Sequence, residues 1–445
     1  MMSYKKYPFR YVLFLLALLS VGPLQAQNGF NMPYSMYSLG ESTMPMDMPF
    51  SGSMGGLYAT QAGYNFINPF NPASTAAIES ESFVFDLGFS LQMRRLKDEY
   101  DQLKDFDGVI SYLALGFPIT RWWKTSIGLL PIGDVSYQIT DQLKDPLTYI
   151  SMKTIYEGSG GVNRVFWNHG FNITPHLSAG FGASFVYGDI TRAITYDFDG
   201  NDTTYYINSR RQRTTTIRRF LFDVGAQYCQ PLSEDYQLHL GFTCQLPMRW
   251  SVYDDALAYT FVKTTSELFL DTIFPARGEN SEYTSTIDVP LKFTFGVSLE
   301  RNDLWMVGFD MTVSQWSGFK YEEGIENPLF GSDFMRYQNN YRFALGGGWL
   351  GDKQSSSYWG RIGVSAGLFY ERGKVCLEYG ESTHIVNEYG GGLGFTLPMR
   401  KGRSILRLDL TYSRMGDVTL LQRDFLSIGL CLSTSDRWFV KRKYN

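Results

Sequence analysis

Beyond its N-terminus the chain lacks any apolar run near the ~20 residues that a membrane-crossing helix needs, and its mean hydropathy is slightly negative. A bundle of spanning helices is therefore excluded. A wall of strands is not, because strands hide apolar residues at every second position. Histidine is scarce: His169, His176, His239 and His384 are scattered, and none has a nucleophile motif beside it. Hydrolytic or acyl-transfer catalysis needs a Ser, Cys or carboxylate within reach of such a base, so no enzyme is expected. No paired Cys or His spacing suggests a metal site, and no cofactor is expected. The four cysteines, Cys229, Cys244, Cys376 and Cys431, fall in or beside alternating runs. They are expected to be free, strand-embedded thiols, since a simple hairpin register holds Cys229 and Cys244 beyond bridging distance. A net charge of −4 gives no footing for a nucleic-acid partner.

What the N-terminus does have is a charged stretch with Lys5, Lys6 and Arg10, the apolar segment YVLFLLALLSVG, and PLQA before Gln27. That order describes a secretory signal peptide over residues 1–26. No cysteine stands at the cleavage point, so a lipoprotein is not indicated.

The rest is written in period two. In RRFLFDVGAQYC, Phe220, Phe222, Val224, Ala226 and Tyr228 share one face, with Arg219, Asp223, Gly225 and Gln227 on the other. In YQLHLGFTCQLPMRW, Tyr236, Leu238, Leu240, Phe242, Leu246 and Trp250 alternate with Gln237, His239, Gly241, Thr243, Gln245 and Arg249. Successive strand side chains point to opposite faces, so each such strand has one apolar and one wet surface. About fourteen strands can be marked, from 82–95 through 107–118, 124–139 and 161–173 to 403–415 and 422–435. Several far exceed the ~5–6 residues of soluble strands, which argues against a secreted β-sandwich. Short joints such as ITRWWK and ITPHL alternate with longer charged loops near 96–106, 140–160, 196–212, 253–281, 319–334 and 373–384. The expectation is an all-β protein: an antiparallel transmembrane β-barrel of about 14 strands over residues 82–445, in the outer membrane, with both termini periplasmic. The 30 tyrosines and 33 phenylalanines suit interfacial girdles and a lipid-facing band.

Residues 27–81 do not alternate and carry little charge, which predicts an N-terminal plug folded into the barrel lumen. Here SMYSLGE, MGGLYATQAGYNFINPFNPASTAAI and the closing run RDFLSIGLCLSTSDRWF resemble the FadL family of outer-membrane transporters for long-chain fatty acids and other hydrophobic compounds. The resemblance implies a hatch whose Asn-Pro-Ala signature is Asn71, Pro72 and Ala73. It also implies a kinked third strand that opens the wall for lateral exit of ligand. In this sequence strand three carries Pro131 and Gly133 at its middle, residues that a regular strand avoids. The corresponding loops here are tyrosine-rich and charged, a departure that leaves the ligand unnamed.

By parity the lumen should receive Asp86, Arg94, Asp134, Arg219, Asp223, His239, Arg249, Lys292, Asp310, Arg342, Arg361, Arg407 and Asp409. Both signs occur, which fits mutual pairing in a plugged lumen better than a one-sign ring in an open porin. Gly346, Gly348, Gly390, Gly392 and Gly394 fall on the same side and would let another segment approach the wall. The expected function is passive uptake of a hydrophobic, long-chain fatty acid-like compound, with the lipid bilayer and that small molecule as partners. The alternative is a non-transporting barrel subunit of an outer-membrane secretion or assembly complex, docked to other outer-membrane or periplasmic proteins.

Overall fold

The computed structural model describes residues 31–42, 48, 51–144, 151–198, 206–263, 267–274, 282–302, 304–322, 335–352, 355–379, 382–399 and 404–437. The expected signal peptide lies outside them. The fold is a closed, fourteen-stranded antiparallel β-barrel. Its strands are β1 (Ser82–Lys97), β2 (Gln102–Pro118), β3 (Trp123–Lys144), β4 (Ser151–Asn172), β5 (Leu177–Phe198) and β6 (Asn208–Pro231). Two interrupted strands follow: β7 (Tyr236–Gln245, then Met248–Lys263) and β8 (Glu282–Val289, then Lys292–Arg301). The circuit continues through β9 (Trp305–Ser314), β10 (Asn340–Trp349), β11 (Gly363–Arg372), β12 (Glu388–Pro398), β13 (Ser404–Met415) and β14 (Gln422–Arg437). β14 closes onto β1 in an unbroken ladder from Ser82↔Arg437 to Lys97↔Gln422.

Several segments expected to be loops are strand. The β1–β2 connection is only residues 98–101, and β3 and β4 stay paired out to Lys144↔Ser151. The described parts of these stretches, 96–106, 140–144 and 151–160, extend past the lipid-facing band. Most of their described side chains are exposed or half-buried, so pairing persists while the apolar alternation that announces a strand is lost. At the same end Met335–Tyr337, Val375–Tyr379 and Ser382–Ile385 form a separate three-stranded sheet.

The outer wall is apolar. Leu91, Met93, Phe181, Phe220, Leu240, Phe295, Leu393, Phe395, Ile428 and Leu430 are all exposed, as lipid-facing side chains of a barrel must be. At the short-turn end Trp122, Trp123, Trp167, His169 and Phe171 cluster ring against ring, the girdle expected where lipid meets water.

Parity is broken at Ser111 of β2, the extra residue between Gly88↔Tyr112 and Phe89↔Ile110, and at proline interruptions in β3, β7 and β8. In β3 the ladder pairs Pro131 with Asn163 and then Gly133 with Val162, so Ile132 is an extra residue. In β7 and β8 the interruptions Leu246–Pro247 and Pro290–Leu291 lie opposite each other, between Gln245↔Lys292 and Met248↔Val289. Proline cannot donate to the ladder, and past such a break the side chains resume on opposite faces: through one extra residue in β3, and through facing two-residue breaks in β7 and β8 that keep their mutual register. Trp250, expected on the lipid side, is therefore 2% exposed and packs inside with Val135, Val162, Val186, Ile217, Leu221 and Ile287. Arg249, expected in the lumen, is turned outward, its side chain 65% exposed and paired with Asp288 at 2.6 Å. Trp250 Nε1 donates to the Phe220 carbonyl at 2.9 Å. Replacing Trp250 by Phe is expected to lower stability by about 1–2 kcal/mol, from the lost hydrogen bond and the ring-sized void, measured as the urea midpoint of detergent-solubilised protein.

Candidate functional site

Residues 51–81 run against the inside of the wall and are held there by wall carboxylates and amides. Asp310 of β9 accepts the backbone N–H groups of Tyr58 (2.7 Å) and Ala59 (2.9 Å). Asp86 of β1 accepts that of Ile67 at 2.5 Å. Arg342 of β10 donates to the Gly55 carbonyl at 2.6 Å, lies 4.8 Å from the Phe369 ring centroid and sits 3.6 Å from Glu371. Arg407 of β13 stacks over the Phe66 ring at 4.7 Å and donates to Ser433. A short non-repetitive segment has few backbone partners of its own, so wall side chains satisfy its buried N–H and C=O groups.

Asn71, Pro72 and Ala73 lie at the centre of this packing. Asn71 is fully buried; its side-chain oxygen accepts from Ala73 N at 3.0 Å and caps the short 3-10 helix Pro72–Ala77, and its Nδ2 donates to the Ala59 carbonyl at 2.6 Å. Pro72 at the first helical position has no N–H to satisfy. Gly180 and Gly225 of the wall face this turn, and a Cβ on either would collide with Pro72, Ala73 or the Asn71 side chain. Of the inward glycines read from sequence, Gly346, Gly392 and Gly394 meet residues 52–54, whereas Gly348 and Gly390 abut neighbouring strands.

The wall changes at Ile132. β2 and β3 pair from Pro118↔Lys124 only as far as Leu113↔Leu129, and beyond that point the described residues of the two strands no longer pair with each other. The freed edge of β3 takes up residues 31–42 instead. Met32 N donates to the Ser136 carbonyl, Ser136 N to Ser35 Oγ at 3.1 Å, and Asn31 exchanges two bonds with the Gln138 backbone. Glu41 and Ser42 then pair with Asp134 and Gly133 as a two-residue antiparallel strand. Gly133 faces inward against the Leu39 carbonyl. An unpaired backbone edge is costly in lipid, so this cover by the chain's own N-terminal segment is physically required.

Two cavities meet at this strand. One, of about 250 Å³, lies in the lumen against Tyr34, Tyr37, Phe70, Leu221, Trp250 and Phe319. The other, of about 610 Å³, reaches the wall gap between Ile110 and Leu113 of β2 and Leu129 and Pro131 of β3. Glu41, Gly133, Val162 and Glu388 line both. The Glu41 carboxylate is ion-paired with buried Arg423 of β14, which also holds Glu388 at 2.9 Å. Arg94 of β1 contacts Met32 on the gap side. Burial pushes the Tyr34 and Tyr37 phenols up to about 12, so both remain neutral donors, Tyr34 bonding the Leu421 carbonyl at 2.5 Å.

Of the other lumen positions read by parity, Asp223 pairs with Arg164 at 3.1 Å, His239 lies 3.3 Å from Glu300, Lys292 lines the inner cavity and Asp409 is buried. Three depart from the expectation besides Arg249. Asp134 follows the Ile132 bulge and so faces away from the lumen, beside the wall gap. Arg219 sits where the β6–β7 ladder is interrupted and lies 5.7 Å from the exposed Tyr253 ring. Arg361 belongs to a 3-10 turn, Trp359–Arg361, ahead of β11 and is exposed. Glu41, Arg164, Glu388 and Arg423 went unmarked, although the last three fall on inward parity and could have been read. All four cysteines are free thiols. Among the described residues no group of three or more His, Cys, Asp or Glu could hold a metal ion.

Strand count, lipid-facing band and interior residues define an outer-membrane β-barrel with the fold of the hydrophobic-compound channels. The Ralstonia pickettii toluene transporter TbuX aligns with a TM-score of 0.54 at 14% identity, over 88% of this chain and 98% of its own. A Pseudomonas aeruginosa FadL homologue aligns at 0.52 and 13% identity, over 89% and 98%. The Pseudomonas putida toluene transporter TodX aligns at 0.52 and 12% identity, over 93% and 100%. No curated protein matches the sequence. The family model BamG matches residues 8–445, and the chain belongs to the BamG family.

Proposed function

We propose that this barrel passes a hydrophobic, long-chain fatty acid-like compound from the long-loop side into the lumen and releases it sideways into the membrane between β2 and β3. The observation that carries the reading is the loss of β2–β3 pairing beyond Leu113↔Leu129, at the same height as the apolar lumen cavity. Residues 27–81, after removal of a leader over 1–26, act as the hatch: Asn71, Pro72 and Ala73 fix its inner end, and residues 31–42 cover the opening. Pro131 and Gly133 set the kink. Both termini lie in the periplasm, by the placing of short turns and long loops. The interior ion pairs hold the hatch and do no chemistry. Deleting residues 28–60 should raise the leak of a fluorescent fatty acid into proteoliposomes and abolish its saturation. Unchanged saturable uptake in that variant and in Pro131→Val would sink the proposal.

Membership in the BamG family favours a second reading: the barrel as a partner subunit of an outer-membrane protein assembly complex. Affinity purification from native membranes separates the two. A subunit brings stoichiometric barrel or periplasmic partners, and a channel emerges alone.

A further inference from the structure

Three side chains form one row across adjoining strands at the long-loop edge of the lipid-facing wall. Asp424 of β14 stands between Arg414 of β13 and Arg95 of β1 as the direct cross-strand partner of both. One step toward the membrane, the same faces carry Tyr412, Leu426 and Met93, and Leu410, Ile428 and Leu91 follow below. The row therefore marks the height at which lipid tails give way to head groups.

The chemistry of the row is unbalanced. The Asp424 side chain is 7% exposed and its oxygens are fully used: Arg95 Nε donates at 3.0 Å, Arg414 Nε at 2.7 Å, Tyr412 Oη at 2.9 Å and Gln422 Nε2 at 3.2 Å. The two arginine side chains are 42% and 34% exposed. Arg95 is gripped through two nitrogens and Arg414 through Nε, which fixes the guanidinium planes while both side chains stay partly exposed. Lys104 of β2 extends the row as the partner of Arg95, and Tyr389 of β12 flanks Arg414. Asp105 and Asp107 of β2 stand opposite Arg94 and Gln92, on the inward side, and do not neutralise the row. Within the row three cations thus stand with one saturated carboxylate, the acidic Asp98, Glu99 and Asp101 lying beyond it in the β1–β2 turn.

We propose that Arg95 and Arg414, held by Asp424 and supported by Lys104, bind the phosphate of an anionic lipid in the leaflet at the long-loop end. Paired guanidiniums at fixed spacing match the oxygens of a phosphomonoester, which takes two parallel hydrogen bonds from each fork. The exposed Tyr412, Leu410 and Ile428 beneath the row receive the acyl chains of the same molecule. A charge at this depth is tolerated because its head reaches the interface, and a lipid phosphate supplies the missing counter-charge.

The test uses full-length protein in detergent, with binding of diphosphoryl lipid A read by native mass spectrometry against phosphatidylcholine. Wild type should retain lipid A preferentially, and R95Q/R414Q should lose at least about tenfold of that binding with its two charge-assisted contacts. R211Q, at an exposed arginine of β6, should bind as wild type does. R95K/R414K keeps the charge but loses the fork; it should bind between the two and guards against a folding loss, which heat-modifiable gel mobility reports. Equal retention by wild type and R95Q/R414Q overturns the proposal. So does complete displacement of lipid A by millimolar inorganic phosphate, which would mark a free-anion site.

Discussion

Asp310→Ala should release the N-terminal segment from the wall while leaving the barrel closed. The carboxylate takes the N–H groups of both Tyr58 and Ala59 in a fully buried place. Alanine offers no acceptor, and an orphaned buried donor costs about 1–3 kcal/mol, so the pair costs about 2–6 kcal/mol. The wall loses little, because β9 pairs with β8 and β10 through its backbone over the whole of Trp305–Ser314. Hydrogen exchange should quicken over residues 55–61 and stay slow in β8 to β10. Asp310→Asn keeps one acceptor oxygen and should lie between. Uniformly faster exchange across the barrel strands would instead make Asp310 a determinant of the wall itself.

Deleting Ile132 should zip the wall shut. The residue is the extra one in the β3–β4 ladder, so its removal restores regular pairing and keeps Gly133, Val135 and Tyr137 facing the lumen. A straight β3 can continue its ladder with β2 past Leu129, displacing residues 31–42 from the edge they now occupy. The backbone amides of residues 104–111 should gain protection, and release of a hydrophobic probe into the membrane should fall by about tenfold or more once the bulge that re-aims the strand is gone. Gained protection with unchanged uptake would leave the bulge real and the lateral route wrong. No gain in protection would mean that something other than the bulge parts the two strands.

The strand count was legible because lipid on one side and packed polar interior on the other impose period two on every crossing strand. The extensions beyond the bilayer were not, since water bathes both faces there and erases the pattern. Asp86, Asp223, Asp310 and Arg342 are buried and Arg407 stacks on Phe66, at positions that parity alone assigns to the inner face. For Asp134 and Arg249 the same assignment fails, because a bulge or a facing pair of proline breaks exchanges the faces of the residues beyond it. The prolines were visible in the sequence. What each did to the register was not, since the partner strand decides whether a break is absorbed as a slip, a bulge or a separation.

Alternation along the chain, a local property of each strand, determined by itself that each strand has two unlike faces, and strand length with short turns made a barrel of them. Which strands part company, and what covers the opening, depended on residues far apart in sequence. Glu41 meets Arg423, and Met32 meets Ser136, only because closure of the barrel brings the N-terminal segment to the free edge of β3. Backbone groups must be satisfied somewhere in lipid, and only the closed tertiary structure decides which segment satisfies them.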